Sequence, residues 1–382
     1  MRKQSLLILI FLWFWCFSTA AINFSRVNVA WQYDVSFEVR MSHRIVKVDV
    51  GNRVFLEVRA DSLSKWKYEF LLQKGYQSDS HRQLEKLSID TLLDVSGQVL
   101  IQLDLPGNIN ENLLVVKFSQ PDNFYYYDIN LMIGTLSFPS IYPVDENGLP
   151  ILENYINRTS SSWVGNDSFL AMQYADDFAQ ADLPMADMKP LAPQVDMDTS
   201  YVFNSESNFK EGYFYVVRRD SLATTGVTIL RVPPYFPEYR QLSELIESML
   251  YLTSEQEKRS ILSARNPRES FDSFWMNTYS TKSRARNAIR KYYNWIESTN
   301  RLFTDFKPGW KTDRGMIYIG YGAPDEVYRT ESAEEWFYDQ GAAFEFTIIS
   351  TFFAPKTYTL RRNGDLGEGW FSQITAIRQG IR

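Results

Sequence analysis

The sequence has one cysteine, Cys16, and two histidines, His43 and His81, among 382 residues. A single thiol excludes disulfide frameworks, thiolate zinc sites and iron–sulfur clusters. So few histidines leave the chain poor in the usual general base, and any catalysis would fall to carboxylates or tyrosine. No cofactor is implied. Long apolar runs are equally scarce. Leu6 to Phe17 follows Arg2 and Lys3, is short for a membrane span and has the form of an export signal. Ser18-Thr19-Ala20 is a small-x-small site, so cleavage is expected before Ala21, with residues 1–20 removed and the chain exported to the periplasm. Cys16 offers a second reading, a lipoprotein anchored at the outer membrane. The bulky Phe14 and Trp15 stand against it, because small residues normally precede a lipidated cysteine.

What remains is rich in apolar and aromatic residues, 45% and 15% of the chain, enough for two or three hydrophobic cores. Most aromatics are expected in those cores; an excess would serve sugar or protein surfaces. Over residues 21–138 short alternating runs read as strands: Tyr33 to Val39, Val54 to Val58 and Val99 to Leu103. Gly51-Asn52, Gly97-Gln98 and Pro106-Gly107-Asn108 read as turns between strands. The pattern predicts an antiparallel β-sandwich of the immunoglobulin-like kind.

Residues 139–234 read as a second β-rich region, with strands at Gly212 to Val217 and Val227 to Val232. It carries an acidic, proline-containing insertion over about 175–200, with Asp176, Asp177, Asp182, Asp187, Asp196 and Asp198 around Pro184, Pro190 and Pro193. The alternating Asp/Asn loop ending in glutamate that calcium requires is missing, so this reads as a solvated loop with no metal. From 235 to 307 the period becomes helical. Leu242, Leu245, Ile246, Met249 and Leu250 share one face, Ser254 with Glu257 forms a capping box, and Pro267 opens a third helix. The longest helix is predicted from Thr281 to Phe303, with an inward stripe of Ala285, Ile289, Tyr292, Ile296, Thr299 and Phe303.

Charge is uneven beneath the net value of −6. Asp145 to Ser200 holds ten acids and two bases, whereas Lys258 to Arg329 holds fourteen bases and seven acids. Either the acidic insertion lies against the basic helices or simply keeps the protein soluble, or a basic face formed by Arg284, Arg286, Arg290 and Lys291 meets an anionic envelope polymer or lipid. Nucleic acid as a partner would demand overall basic dominance and is set aside.

Residues 308–382 contain the most specific motif, Gly309-Trp310-Lys311-Thr312-Asp313-Arg314-Gly315. It resembles the signature of the GWxTD-domain family, and Tyr235 to Tyr239, Phe274-Trp275, Lys291 to Tyr293 and Glu335 to Tyr338 extend the resemblance over about residues 233–360. The resemblance implies a Gram-negative envelope protein with a β-rich region ahead of the domain, and no established reaction. Read physically, Thr312 is an N-cap, Asp313 suits the positive end of a helix, Gly322 a C-terminal stop and Pro324 a block to continuation. These predict a helix from Asp313 to Tyr321, although Gly315 and the Ile-Tyr run favour a strand. Gly309 and Trp310 suit a tight turn with a buried anchor. Strands are expected at Glu335 to Tyr338, which includes Trp336, and at Ala343 to Ile349 and Thr357 to Arg361, giving an α+β multi-domain protein. The Gly322-x-Pro324 stop followed by Val327 and Trp336-x-Tyr338 is also similar to a small lipoprotein domain that supports outer-membrane barrel assembly, by analogy alone.

The expected function is non-catalytic: an envelope interaction or assembly scaffold whose partners are periplasmic or outer-membrane proteins. One rival is a carbohydrate-binding protein with exposed aromatics. The other is a hydrolase with Asp313 as acid or base, Arg314 as stabiliser, Tyr318 or Tyr321 as relay and Glu334 or Glu335 as second carboxylate. Asp-Ser/Thr-apolar triplets place candidate O-glycosylation at Ser62, Thr91 and Ser221.

Overall fold

The structure is a computed structural model that describes residues 22–381 apart from 79, 85–87, 133–136, 159–160, 166–168, 175–177, 187–196, 204–213, 219–225, 280 and 351–355, together with the backbone alone of strand residues 169, 197–203 and 214–218. Cys16, Ser221, Asp176, Asp177, Asp187 and Asp196 lie outside the described residues. The architecture is α+β, with several antiparallel sheets and six α-helices among the described residues.

Eight strands form the front of the molecule: β1 (Val39–Val48), β2 (Gly51–Ala60), β3 (Lys67–Gln73), β4 (His81–Gln83), β5 (Ser88–Val95), β6 (Gln98–Pro106), β7 (Leu113–Ser119) and β8 (Phe124–Asn130). They make two antiparallel sheets in the orders β1-β2-β6-β5 and β4-β3-β7-β8, the Greek-key order of the immunoglobulin class. Val54, Leu56, Ile101 and Leu103 of one sheet pack on Phe70, Leu72, Leu114 and Val116 of the other. The alternation that burial of one face imposes is thus what marked β2 and β6 in the sequence.

The run Tyr33 to Val39 is a correction. Ala30–Tyr33 is a 3-10 turn, and the chain becomes extended only at Val39. The Asp34 carboxylate accepts from the Ser36 backbone N–H and hydroxyl, so a local side-chain turn outcompetes a strand ladder. The turn between β1 and β2 falls on Asp49-Val50, and Gly51 already pairs with Val48. Of residues 22–33, Trp31 packs against the sandwich core, on Phe118, while the rest of the segment turns away from it. Phe24, Val29 and Tyr33 pack with the C-terminal region, and the Val29 N–H donates to the Val327 carbonyl at 2.9 Å.

The second β-rich region holds β9 (Tyr142–Val144), β10 (Tyr155–Ile156), β11 (Ser162–Val164), β12 (Phe169–Tyr174), β13 (Met197–Phe203), β14 (Phe214–Arg218) and β15 (Val227–Arg231). Five of them form one sheet, β10-β15-β14-β12-β13, and β9 pairs with β11. The expected irregular insertion is therefore shorter than 175–200: β13 begins at Met197, where Tyr174 pairs with it.

Helices α1 (Leu242–Ser248), α2 (Glu255–Leu262), α3 (Pro267–Tyr279) and α4 (Lys282–Phe303) follow, then α5 (Asp313–Tyr321). Both halves of the Ser254–Glu257 capping box form. Thr281 caps α4, whose inward stripe is the expected one, with Ile289 half-buried. A four-stranded antiparallel sheet, β16 (Glu326–Arg329), β17 (Ala333–Phe337), β18 (Ala343–Ile349) and β19 (Thr357–Leu360), precedes α6 (Leu366–Arg378). The last helix escaped the sequence reading. Its first turn contains Gly367 and Gly369 and its second half Ile374 and Thr375, residues of low helix propensity, and burial of Trp370 and Ile377 overrides them.

Candidate functional site

The signature forms the corner between α4 and α5. Gly309–Lys311 is a 3-10 turn lying so close to α4 that a Cβ on Gly309 would fall on the Thr299 carbonyl, and one on Gly315 on the Gly309 carbonyl. Only hydrogen fits at either position. Trp310 is buried, and its indole N–H donates to the Tyr239 hydroxyl at 2.8 Å. Thr312 caps α5 by accepting from the Gly315 N–H at 3.0 Å, while its hydroxyl donates to the Gly309 carbonyl. The Asp313 carboxylate accepts from the Leu360 N–H at 2.7 Å and is paired with Arg362. Gly322 ends α5 with φ of 90°, and Pro324 is buried just before β16.

The acidic insertion meets this corner through its backbone. The Ala181 N–H donates to the Lys311 carbonyl at 2.9 Å, and Arg362 donates to the Asp182 carbonyl. The described part of the insertion therefore covers the signature, and its contacts there are made by peptide groups rather than by acid side chains.

Arg314 points the other way, into a buried charge cluster joining the sandwich side to the C-terminal sheet. Its guanidinium stacks 3.4 Å from the Tyr358 ring centroid, donates to the Tyr33 hydroxyl at 3.0 Å and stands 3.5 Å from Glu334. Glu334 also accepts from the Tyr33 hydroxyl at 2.7 Å, the Trp336 indole at 2.8 Å and Arg329 at 2.6 Å. Arg329 pairs in turn with Asp128 of β8, which accepts from the Tyr76 hydroxyl. Two guanidiniums and two carboxylates thus balance, away from water. Burial would raise both acids, but the neighbouring arginines prevail: Asp128 is held at about 2, and Glu334 lies below its ordinary value.

The sequence reading missed this cluster, although a signal was present. On β16 Arg329 shares a face with Val327, and on β17 Glu334 shares a face with Trp336, so period-2 reading turns both charges inward. Glu335, its rival as a second carboxylate, pairs across the sheet with Tyr328 and Glu345 and is exposed. Tyr318 donates to the Tyr33 carbonyl, and Tyr321 packs against Tyr338 and Phe344. Asp313 and Glu334 thus serve separate buried pairs.

The surface candidates are accessible. Arg284, Arg286, Arg290 and Lys291 are all exposed on α4. Thr91 is exposed on β5 and Ser62 half-exposed after β2. Two cavities adjoin the sandwich. One, of 340 Å³, is lined by Trp31, Arg40, Glu57, Glu153, Tyr155 and Arg301 among others, and the Trp31 indole N–H is buried without a partner. The other, of 370 Å³, is bordered by His43, Asp305, Glu331 and Lys356. Loss of hydration, aided by the Lys356 charge, lowers His43 to about 3, and burial raises Asp305 to about 6. Among the described residues no group of three or more His, Cys, Asp or Glu could hold a metal ion, and no helix is long and apolar enough to cross a membrane.

Comparison with known proteins adds one finding. Residues 213–379 match the family model described as the GWxTD domain, and no curated protein matches the chain. The match begins just ahead of β14, so the last two strands before the helices fall within the matched stretch. The signature corner, the helices that frame it and the sheet that follows are the substance of that match, and this part of the chain, residues 213–379, is a GWxTD domain.

Proposed function

We propose that this is an exported, non-catalytic interaction protein of the cell envelope, a scaffold that docks other periplasmic or outer-membrane proteins. The observation that carries the reading is that the polar groups of the signature are spent on internal partners. Asp313 is engaged by Leu360 and Arg362, Thr312 by Gly309 and Gly315, and Trp310 by Tyr239. A motif so consumed builds a fold; it does not present reacting groups. Contact is then left to the surface, where the edge strand β5 is open along most of its length and exposes Ile89 and Val95.

The test is recovery of the tagged protein from envelopes in gentle detergent, with mass spectrometry of what accompanies it. The reading expects a stoichiometric envelope protein, lost when Ile89→Lys blunts the edge strand. A wild-type protein that emerges alone and monomeric refutes it.

A second reading, binding of envelope saccharide, is favoured by the 340 Å³ cavity. Sugar sites combine aromatic walls with planar polar side chains, and this cavity offers Trp31, Tyr155, Arg40 and Glu153. Calorimetry with envelope oligosaccharides, beside Arg40→Ala and Glu153→Gln, should give heat that both variants abolish; no heat from the wild type excludes it.

A further inference from the structure

The first ten residues of α4, Lys282 to Lys291, contain five cations and no acid. All five are exposed, and none has an ion-pair partner among the described residues. Lys282, Arg286 and Arg290 follow each other at four-residue spacing, which places like charges side by side on one line of the helix. Arg284 and Lys291 flank that line on the other side of the solvent face. The first turn of α4 has no acidic residue. Lys282 and Arg284 lie in that first turn, where the peptide dipoles disfavour cations. Helix stability alone would select the opposite arrangement.

The expected internal explanation was the acidic insertion, but its described part covers the signature corner instead. Among the described residues the cations thus have no internal partner and face solvent. Beside them, α4 and the end of α6 enclose a groove of 520 Å³ lined by Arg284, Asn287, Lys291, Trp295, Ile377 and Ile381 among others, with no acid in its lining. The Lys291 ammonium lies 5.7 Å from the Trp295 ring centroid, and Ile381 is 76% exposed. Cations, an indole at their level and an open aliphatic residue make up the chemistry of a surface that settles at a lipid headgroup layer.

We infer that the N-terminal half of α4, with the groove it forms against the end of α6, docks on an anionic phospholipid surface. The phosphates meet the five cations, and Ile381 enters the boundary between headgroups and acyl chains. A soluble polyanion would satisfy the cations but not the exposed Ile381 beside them, which is why the lipid is preferred. The inference rests on the envelope reading only for which membrane is met, and it stands or falls without any protein partner.

The experiment is co-sedimentation of the purified full chain with vesicles of phosphatidylcholine alone or mixed with phosphatidylglycerol. Binding is expected only to the mixed vesicles and to fall steeply with added salt. Arg284→Glu/Arg286→Glu/Arg290→Glu should bind about a hundredfold more weakly, and Ile381→Ser several-fold more weakly, both with unchanged circular dichroism. Equal binding to both vesicle types, or undiminished binding by the triple variant, overturns the inference. So does a soluble polyphosphate that binds as tightly as the vesicles and is indifferent to Ile381→Ser. Because the protein pull-down and the vesicle assay share no partner, failure of one is distinguishable from failure of the other.

Discussion

At the residue scale, two kinds of constraint meet in the signature. Gly309 and Gly315 are steric: neither leaves room for a methyl group, and both obstacles are backbone carbonyls that cannot swing aside. Gly309→Ala should therefore cost about 3 kcal/mol or more of unfolding free energy, measured by urea denaturation. Asp313 is electrostatic. Asp313→Asn removes half of its pair with Arg362, whose side chain is only 6% exposed, and should cost about 2–3 kcal/mol in the same assay. An unchanged urea midpoint for either variant would show that the corner is not where stability resides.

His43 supplies a pH-dependent counterpart. Its folded value of about 3 lies below that of the unfolded chain, so the unfolded state takes up the proton first. Its contribution is complete above about pH 6.5 and is lost as pH falls from there towards 3. Asp305, raised to about 6, has the opposite sign, because its protonation favours the folded state as pH falls. Comparing His43→Gln with wild type cancels the Asp305 effect, since both chains retain that acid. Between pH 7 and pH 5 the wild type should lose up to about 2 kcal/mol more than the variant. Parallel stability curves would contradict the assignment.

At the scale of elements, α4 joins a stabilising inward stripe to a solvent face where like charges neighbour each other and the first-turn cations, Lys282 and Arg284, oppose the helix dipole. Reversing Arg284, Arg286 and Arg290 to glutamate should stabilise the helix by about 1 kcal/mol in total, so Tm should rise by a few degrees or hold. A fall in Tm would mean that these arginines have partners within the fold.

The same helix shows what a sequence discloses. Its cap at Thr281, its stripe and its end near Phe303 follow from a 3.6-residue period and capping chemistry, and they were legible. So were β2, β6 and β18, where alternation or a β-rich apolar run marks a strand. Helix α6 was not, because its residues are poor helix formers and its stability comes from Trp370 packed against the rest of the domain. In the site, Thr312, Asp313, Gly322 and Trp310 were legible as caps, stop and anchor. The partners of Asp313 and Arg314 were not. Leu360 and Arg362 lie 47 and 49 residues from Asp313, and Tyr33 lies 281 residues from Arg314, so only tertiary folding brings them together.

At the scale of the whole molecule, the sandwich and the GWxTD domain meet through buried charge rather than through a hinge. Asp128 comes from β8, Tyr33 from the segment ahead of the sandwich, and Arg329, Glu334 and Arg314 from the C-terminal region. Removing one charge from such a set leaves its partner buried and unpaired. Glu334→Gln should therefore cost about 3–5 kcal/mol, and a double-mutant cycle with Asp128→Asn should show coupling between sheets that belong to different regions. Additive losses would mean that the two regions are energetically separate.

The central claim is that the signature builds the fold and leaves binding to the surface. Trp310→Phe tests it most directly, since it keeps an aromatic ring in the core and deletes only the indole donor to Tyr239. The measurement is the amount of envelope complex recovered with this variant, divided by its folded fraction from urea titration. The account predicts a ratio equal to that of the wild type, with any loss of complex matched by a loss of folded protein. A variant that is fully folded and yet recovers no complex would place the signature itself at the binding site.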